Sequence, residues 1–130
     1  MKVSRISLSF VPVVTRVPLK FGDQTLTEVS CARVAIEVEE NGRTATGWAE
    51  TPLSVAWVWP SNLGYREREG RLQEFCEKLC GDLESHLDEG HPFIIGHRYI
   101  EDRLHDRLSE ENSGRESDAY MPHLAGLVCL

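Results

Sequence analysis

The sequence predicts an α+β domain, a three-stranded antiparallel β-meander followed by a small helical bundle. Apolar residues recur at every second position in the first part of the chain and at helical spacing after about residue 60. An Asn41-Gly42 pair lies between two alternating runs, the mark of a tight hairpin and therefore of antiparallel neighbours.

The first strand is read from Ile6, Leu8 and Phe10, which alternate with Ser7 and Ser9. Pro12 and Pro18 bracket Val13 to Val17, as suits an edge strand running into a loop. Lys20-Phe21-Gly22-Asp23-Gln24 is expected to be a glycine-centred loop that leaves the sheet. In a second strand from about Leu26 to Glu39, residues Ala32, Val34, Ile36 and Val38 face one way and Arg33, Glu37 and Glu39 face water. Asn41-Gly42 supplies the positive φ angles of a type I′ turn. A third strand, Thr44 to Glu50, contains Gly47-Trp48 and stops before Pro52.

Beyond Pro60, Leu72, Phe75, Cys76, Leu79, Cys80 and Leu83 form one apolar stripe, with Glu74, Glu77 and Lys78 outside it. Gly90 and Pro92 end that helix. A second helix is expected from about Arg98 to Leu108, with Ile100, Leu104 and Leu108 along one side. Glu110 to Asp118 reads as a solvated linker. Met121 to Leu130 is apolar and reads as a helix without a terminator, expected to be cut short before a further domain. The chain is thus one domain, 1–130, divided into a meander over 1–60 and helices over 61–130.

At 130 residues the chain can bury roughly 68% of its unfolded surface, enough for a core without staples. Hydrophobic residues at 41% and charged residues at 27% are ordinary globular usage. The net charge of −7 and pI near 5.2 argue against nucleic acid or an anionic membrane as partner. No run has the ~18 apolar residues of a membrane span, and the first residues do not lead into a signal-peptide core. Cys31, Cys76, Cys80 and Cys129 form no CxxC pair and read as reduced thiols of a cytoplasmic protein.

Several groups invite a catalytic or metal reading. His86 and His91 have zinc-finger spacing, and Cys76 and Cys80 could nominally complete a Cys₂His₂ set. Only five residues separate Cys80 from His86, however, where a finger uses ~12 to fold back, and both thiols lie on the apolar stripe. Glu101, Asp102 and His105 could share one helix side and touch a cation weakly, but an exposed charged face accounts for them better. Glu50 closes the third strand with no second carboxylate placed to work with it. There is no GxSxG, P-loop or GxGxxG motif. The segment Thr51 to Pro60 is strongly apolar and carries Trp57 and Trp59. Its residues support two readings, an exposed binding patch or indoles packed under the long helix to close the domain's own core.

The order of these elements resembles a known domain. Val17-Pro18-Leu19-Lys20-Phe21-Gly22 follows the first strand, Thr27-Glu28-Val29 opens the second, and Asn41 to Glu50 forms a hairpin ending in Gly-Trp-Ala-Glu. With the helices that follow, essentially the whole chain is similar to the N-terminal capping domain of the enolase superfamily, on the mandelate racemase and muconate lactonizing enzyme branch. Alanine at 49 stands where that family more often has glycine, and the segment Leu53 to Pro60 is unusually rich in tryptophan.

The resemblance implies a (β/α)-barrel as partner domain of the same protein. There, Mg²⁺ held by three carboxylates stabilises an enolate, formed when a lysine or histidine takes the proton α to a carboxylate. It also implies that two cap loops, Leu19 to Thr25 and Glu50 to about Pro60, close over the barrel mouth and shape specificity. Phe21, Asp23, Gln24, Trp57 and Trp59 are then the expected substrate-lining residues, with a small carboxylate as substrate. No catalytic base or metal ligand is expected in the chain, and the piece alone is expected to have no turnover. Apolar faces around Trp57 to Trp59 and Met121 to Leu130 would be left open, so self-association is expected. The rival reading is a free-standing, non-enzymatic interaction module that docks a partner through the tryptophan loop.

Overall fold

Alternation in the first fifty residues is realised as an antiparallel sheet of order β1-β2-β3, with β1 at Lys2–Phe21, β2 at Gln24–Glu40 and β3 at Arg43–Pro52. The structure is a computed structural model and describes residues 1–22, 24–85 and 89–130, the side chain of Phe21 excepted. Across the sheet, Ile6 and Leu8 stand opposite Ile36 and Val34, which stand opposite Gly47 and Ala49. These residues form the inner face. At the second turn Asn41 and Gly42 have φ of 52° and 73°, the two positive angles that a type I′ turn requires.

The first hairpin departs from expectation. Residues 20–24 do not leave the sheet: Leu19 pairs with Leu26, Lys20 with Thr25 and Phe21 with Gln24, so the ladder continues to its tip. The prolines are accommodated differently from a strand end. The register breaks between Val14 and Leu19, where residues 15–18 stand opposite Thr27 alone. A proline has no N–H to give a ladder, and an irregularity of this kind expels it while the strand carries on. Thr15 Oγ1 donates to the Thr27 carbonyl at 3.1 Å and bridges the break. Leu26, Val29 and Cys31 form a small buried cluster of their own along this arm.

After β3 the chain makes a single helical turn, α1 (Val55–Val58), and then the long α2 (Tyr65–Ser85). Leu72, Phe75, Cys76 and Leu79 of α2 are buried as their spacing predicts. The next helix begins earlier than expected, at Pro92 rather than near Arg98. His91 is its N-cap, its ring accepting from the Phe93 N–H, and Pro92 sits in the first turn, where its missing donor costs nothing. α3 (Pro92–Tyr99) passes through one wide π turn at Ile100–Leu104 into α4 (His105–Asn112).

The π turn changes which residues face the core. Ile100 is 40% exposed, while Tyr99 is buried with Leu104 and Leu108. Residues five apart diverge on a regular helix, and a turn closed by an i to i+5 hydrogen bond brings Leu104 back to the side of Tyr99. The segment read as a linker from Glu110 is still helical to Asn112, and Glu111 is buried. A 3₁₀ turn at Ser117–Ala119 leads to α5 (His123–Val128). Gly126 is there because α4 is so close: a Cβ would lie 3.0 Å from the Leu108 methyls.

One cluster holds these pieces together. Leu53, Val55, Val58 and Trp59 from the segment after β3 meet Leu72, Phe75 and Cys76 of α2, with Tyr99, Leu104, Met121 and Ala125 around them. Leu72 is fully buried at its centre. Leu72→Ala is expected to lower the unfolding free energy by roughly 3 kcal/mol, within the usual range for a buried leucine. A urea titration followed by far-ultraviolet circular dichroism checks it.

Candidate binding site

The two segments singled out in the sequence are built very differently. The first is the tip of the β1–β2 hairpin, where Leu19, Lys20, Gly22, Gln24 and Thr25 are exposed. Gly22 takes a φ of 57°, which closes the turn. Of the residues expected to line a pocket here, Gln24 is exposed at the tip. Asp23 lies outside the described residues, as does the side chain of Phe21, whose backbone pairs with Gln24.

The second segment separates its two tryptophans. Trp57 is 59% exposed and Trp59 only 1%. On an extended strand, residues two apart share a face, but on a helical turn they point about 200° apart. Because Val55–Val58 winds as α1, with Trp59 as its C-cap, one indole enters the core and the other meets solvent. Trp59 therefore fills the domain's own interior, and Trp57 alone of the pair is presented outward.

Two arginines of α2 pin this segment from beneath. Arg68 donates to the carbonyls of Val55 and Trp59. The Arg71 guanidinium lies 4.5 Å from the centroid of the Trp59 ring, a cation–π contact in a desolvated setting. Arg71 also donates to the Ala119 carbonyl at 2.7 Å and pairs through Nε with Glu111 Oε1 at 3.0 Å. Glu111 accepts in addition from Lys78 at 2.8 Å and Arg115 at 3.4 Å. Burial by itself would raise the Glu111 carboxyl. The hydrogen bonds and charges of Lys78 and Arg71 outweigh it and hold Glu111 below the usual range. None of these residues stood out as functional in the sequence. Their signal was positional: Arg68 extends the stripe of Leu72, Phe75 and Leu79 one turn toward the helix start.

The remaining candidates take structural roles. Glu50 pairs with Arg33 across β2 and β3 at 2.6 Å, and both are exposed. Cys76, Cys80 and Cys129 line a cavity of about 120 Å³ between the sheet and α2. Burial pushes the Cys80 thiol up to about 11. A hydrogen bond between Cys129 and Cys76, followed by burial, raises the Cys129 thiol, which also donates to the Ala125 carbonyl at 3.3 Å. The Cys80 and Cys129 thiols therefore stay protonated and unreactive at neutral pH. His86 lies outside the described residues. His97 and Glu101 are 3.8 Å apart at the surface, and Asp102 and His105 are exposed. Among the described residues no group of three or more histidines, cysteines or carboxylates is disposed to hold a metal.

The two tryptophans should respond differently to truncation. Trp59→Ala is expected to cost roughly 3–5 kcal/mol and Trp57→Ala less than about 0.5 kcal/mol, read from denaturant melts. Glu111 adds a pH signature. Its folded value is depressed, so its stabilisation is complete above the unfolded value of about 4.3 and is lost as pH falls through the lower folded value. Glu111→Gln is expected to lower stability at pH 7 by roughly 3 kcal/mol, because it removes the charge paired with buried Arg71. Unfolding free energies measured between pH 7 and pH 3 should also fall less steeply in the variant than in the parent.

No protein-family model matches the chain, and no curated protein matches it in sequence. Among solved structures, the fold is similar to part of the L-Ala-D/L-Glu epimerase from Bacillus subtilis, solved as a substrate-liganded complex. The TM-score is 0.53 and the sequence identity 20%. The likeness takes in 93% of this chain and 30% of that one, so the chain spans under a third of the length of the epimerase it resembles.

Proposed function

We propose that this chain is the capping domain of an enolase-superfamily enzyme of the mandelate racemase and muconate lactonizing enzyme branch. In the complete protein it closes over a (β/α)-barrel and shapes the pocket for a small carboxylate substrate. The observation that carries this reading is the structural likeness, which takes in nearly all of this chain but under a third of an epimerase. A unit of that kind is a natural part of a larger enzyme. The barrel would hold Mg²⁺ and the base that removes the proton α to the carboxylate, and Mg²⁺ there would stabilise the developing enolate. This chain's own residues would do the work of selection and closure.

The two exposed segments suit that work. The hairpin tip brings Gln24, with Asp23 and Phe21 beside it in sequence, to the end of a long paired arm. Trp57 stands on a turn held by Arg68 and Arg71, so its ring is offered from a rigid base rather than from a loose loop. In this reading Trp57 packs on the apolar part of a substrate, and Gln24 and Asp23 supply hydrogen bonds. Trp59 serves by anchoring the turn. The exposure of Trp57 also favours a second reading, a non-enzymatic module that docks a protein partner through this ring.

The complete reading frame discriminates the two. Expressed with any barrel that follows residue 130, the enzyme is expected to exchange the α-proton of a carboxylate substrate in deuterated water, in a Mg²⁺-dependent manner. Trp57→Ala is expected to lower kcat/KM by roughly tenfold, mainly through KM, as the loss of one apolar pocket contact does. A stop codon directly after codon 130, or a barrel whose turnover is indifferent to Trp57 and Gln24, would count against the capping role.

A further inference from the structure

The two outer edges of the sheet are treated in opposite ways. On β1 the free edge is broken by Pro12 and Pro18 and by register irregularities at Val3/Arg5 and Val14/Leu19. Its Ile6 N–H, which points away from β2, is taken by the Glu84 carboxylate of α2 at 3.2 Å. Interruptions of this kind are how a sheet keeps another strand from adding to its edge.

β3 has none of them before its last residue, Pro52. Its register with β2 runs unbroken from Arg43 to Pro52. Every residue from Arg43 to Glu50 is exposed, and Thr44-Ala45-Thr46-Gly47-Trp48-Ala49 contains neither charge nor proline in a chain of net charge −7. In a two-residue hairpin the residues flanking the turn, here Glu40 and Arg43, exchange both hydrogen bonds. Counting along from Arg43, the backbone groups of Ala45, Gly47 and Ala49 point to β2, and those of Thr44, Thr46, Trp48 and Glu50 point outward. Those four residues have no backbone hydrogen-bond partner among the described residues.

The geometry points to β3 as a self-pairing edge, which joins the β3 strand of a second copy of this chain in antiparallel register to make a continuous six-stranded sheet. An antiparallel strand pair is the arrangement a two-fold axis through the sheet creates from one sequence, so each copy supplies its own complement. The register centred on Gly47 uses the whole edge. It sets Thr46 opposite Trp48 and Thr44 opposite Glu50 on the outer face, and Ala45 opposite Ala49 on the inner face. All four outward-pointing residues of each copy then exchange bonds, about eight in total.

No like charges face one another in that register, although the rest of the surface is acidic. Trp48, 72% exposed beside Ala35, is covered by the partner's Thr46. On the inner face, the apolar groove of about 440 Å³ that Ile36, Val38, Gly47, Ile95 and Tyr99 line reaches this same edge. Pairing would join the grooves of the two copies across the seam. This contact differs from association through Trp57 or the 121–130 segment, because it is made by main-chain groups.

Sedimentation equilibrium of the 130-residue chain tests it, together with amide exchange at two protein concentrations. The expected result is a dimer in which the amides of Thr44, Thr46, Trp48 and Glu50 exchange slowly when concentrated and rapidly on dilution, while those of Ala45, Gly47 and Ala49 stay slow throughout. Thr46→Pro removes an outward donor without touching the β2 ladder, and Trp48→Lys places a charge on the edge. Each is expected to raise the dimer dissociation constant at least tenfold with the circular dichroism spectrum unchanged. A parent chain monomeric at hundreds of micromolar would overturn the inference. So would a dimer that leaves those four amides unprotected, a result that needs no variant to fold.

Discussion

Leu72, Phe75, Cys76 and Leu79 of α2 pack in one cluster with Ala32 of the sheet, with Leu8 and Phe10 against its border. This is the contact on which the rest of the structure depends. A three-stranded sheet with one apolar face is not stable by itself in water, and a helix with one apolar stripe is in the same position. Each buried leucine or phenylalanine contributes roughly 1.5–3 kcal/mol, so a handful of them is comparable to the whole net stability of a domain this size. α1 and α5 then close over what α2 leaves open, and they can do so only because α2 already presents Leu72 and Phe75.

Buried charge is organised around the same helix. Arg68 and Arg71 stand among apolar residues and are paired in part: Arg68 with the carbonyls of Val55 and Trp59, Arg71 with Glu111, the Ala119 carbonyl and the Trp59 ring, while Arg68 Nε and Arg71 Nη2 have no hydrogen-bond partner among the described residues. Desolvating such groups costs several kcal/mol unless they are paired, so the arrangement is intolerant of alternatives. That intolerance gives a single conformation to the turn that carries Trp57. The arm that leads to the hairpin tip is held in another way, by a backbone ladder that runs out to Phe21 and Gln24. Two exposed segments are thus fixed by different forces, side-chain charge in one and main-chain pairing in the other.

Much of this architecture was legible in the residues. The I′ turn follows from Asn41-Gly42, the inner faces of β1 and β2 from alternation, and the buried face of α2 from its stripe. What escaped is instructive. The proline-bracketed stretch of β1 looked like a strand end because a proline cannot join a ladder. It proved to be a local break that tertiary pairing on both sides bridges. A regular helix would bury Ile100 beside Leu104 and Leu108, and one π turn gives its place to Tyr99. Trp57 and Trp59 looked equivalent because sequence spacing does not say whether the intervening backbone is extended or wound.

The sequence by itself determined the meander followed by helices, for these follow from short-range periodicity and turn chemistry that act within a few residues. Tertiary structure alone decided which tryptophan is presented, how Arg71 and Glu111 meet across 40 positions of chain, and which sheet edge stays open. Those outcomes depend on groups distant in sequence competing for the same volume, the same hydrogen bonds and the same dry interior. No local pattern carries that information.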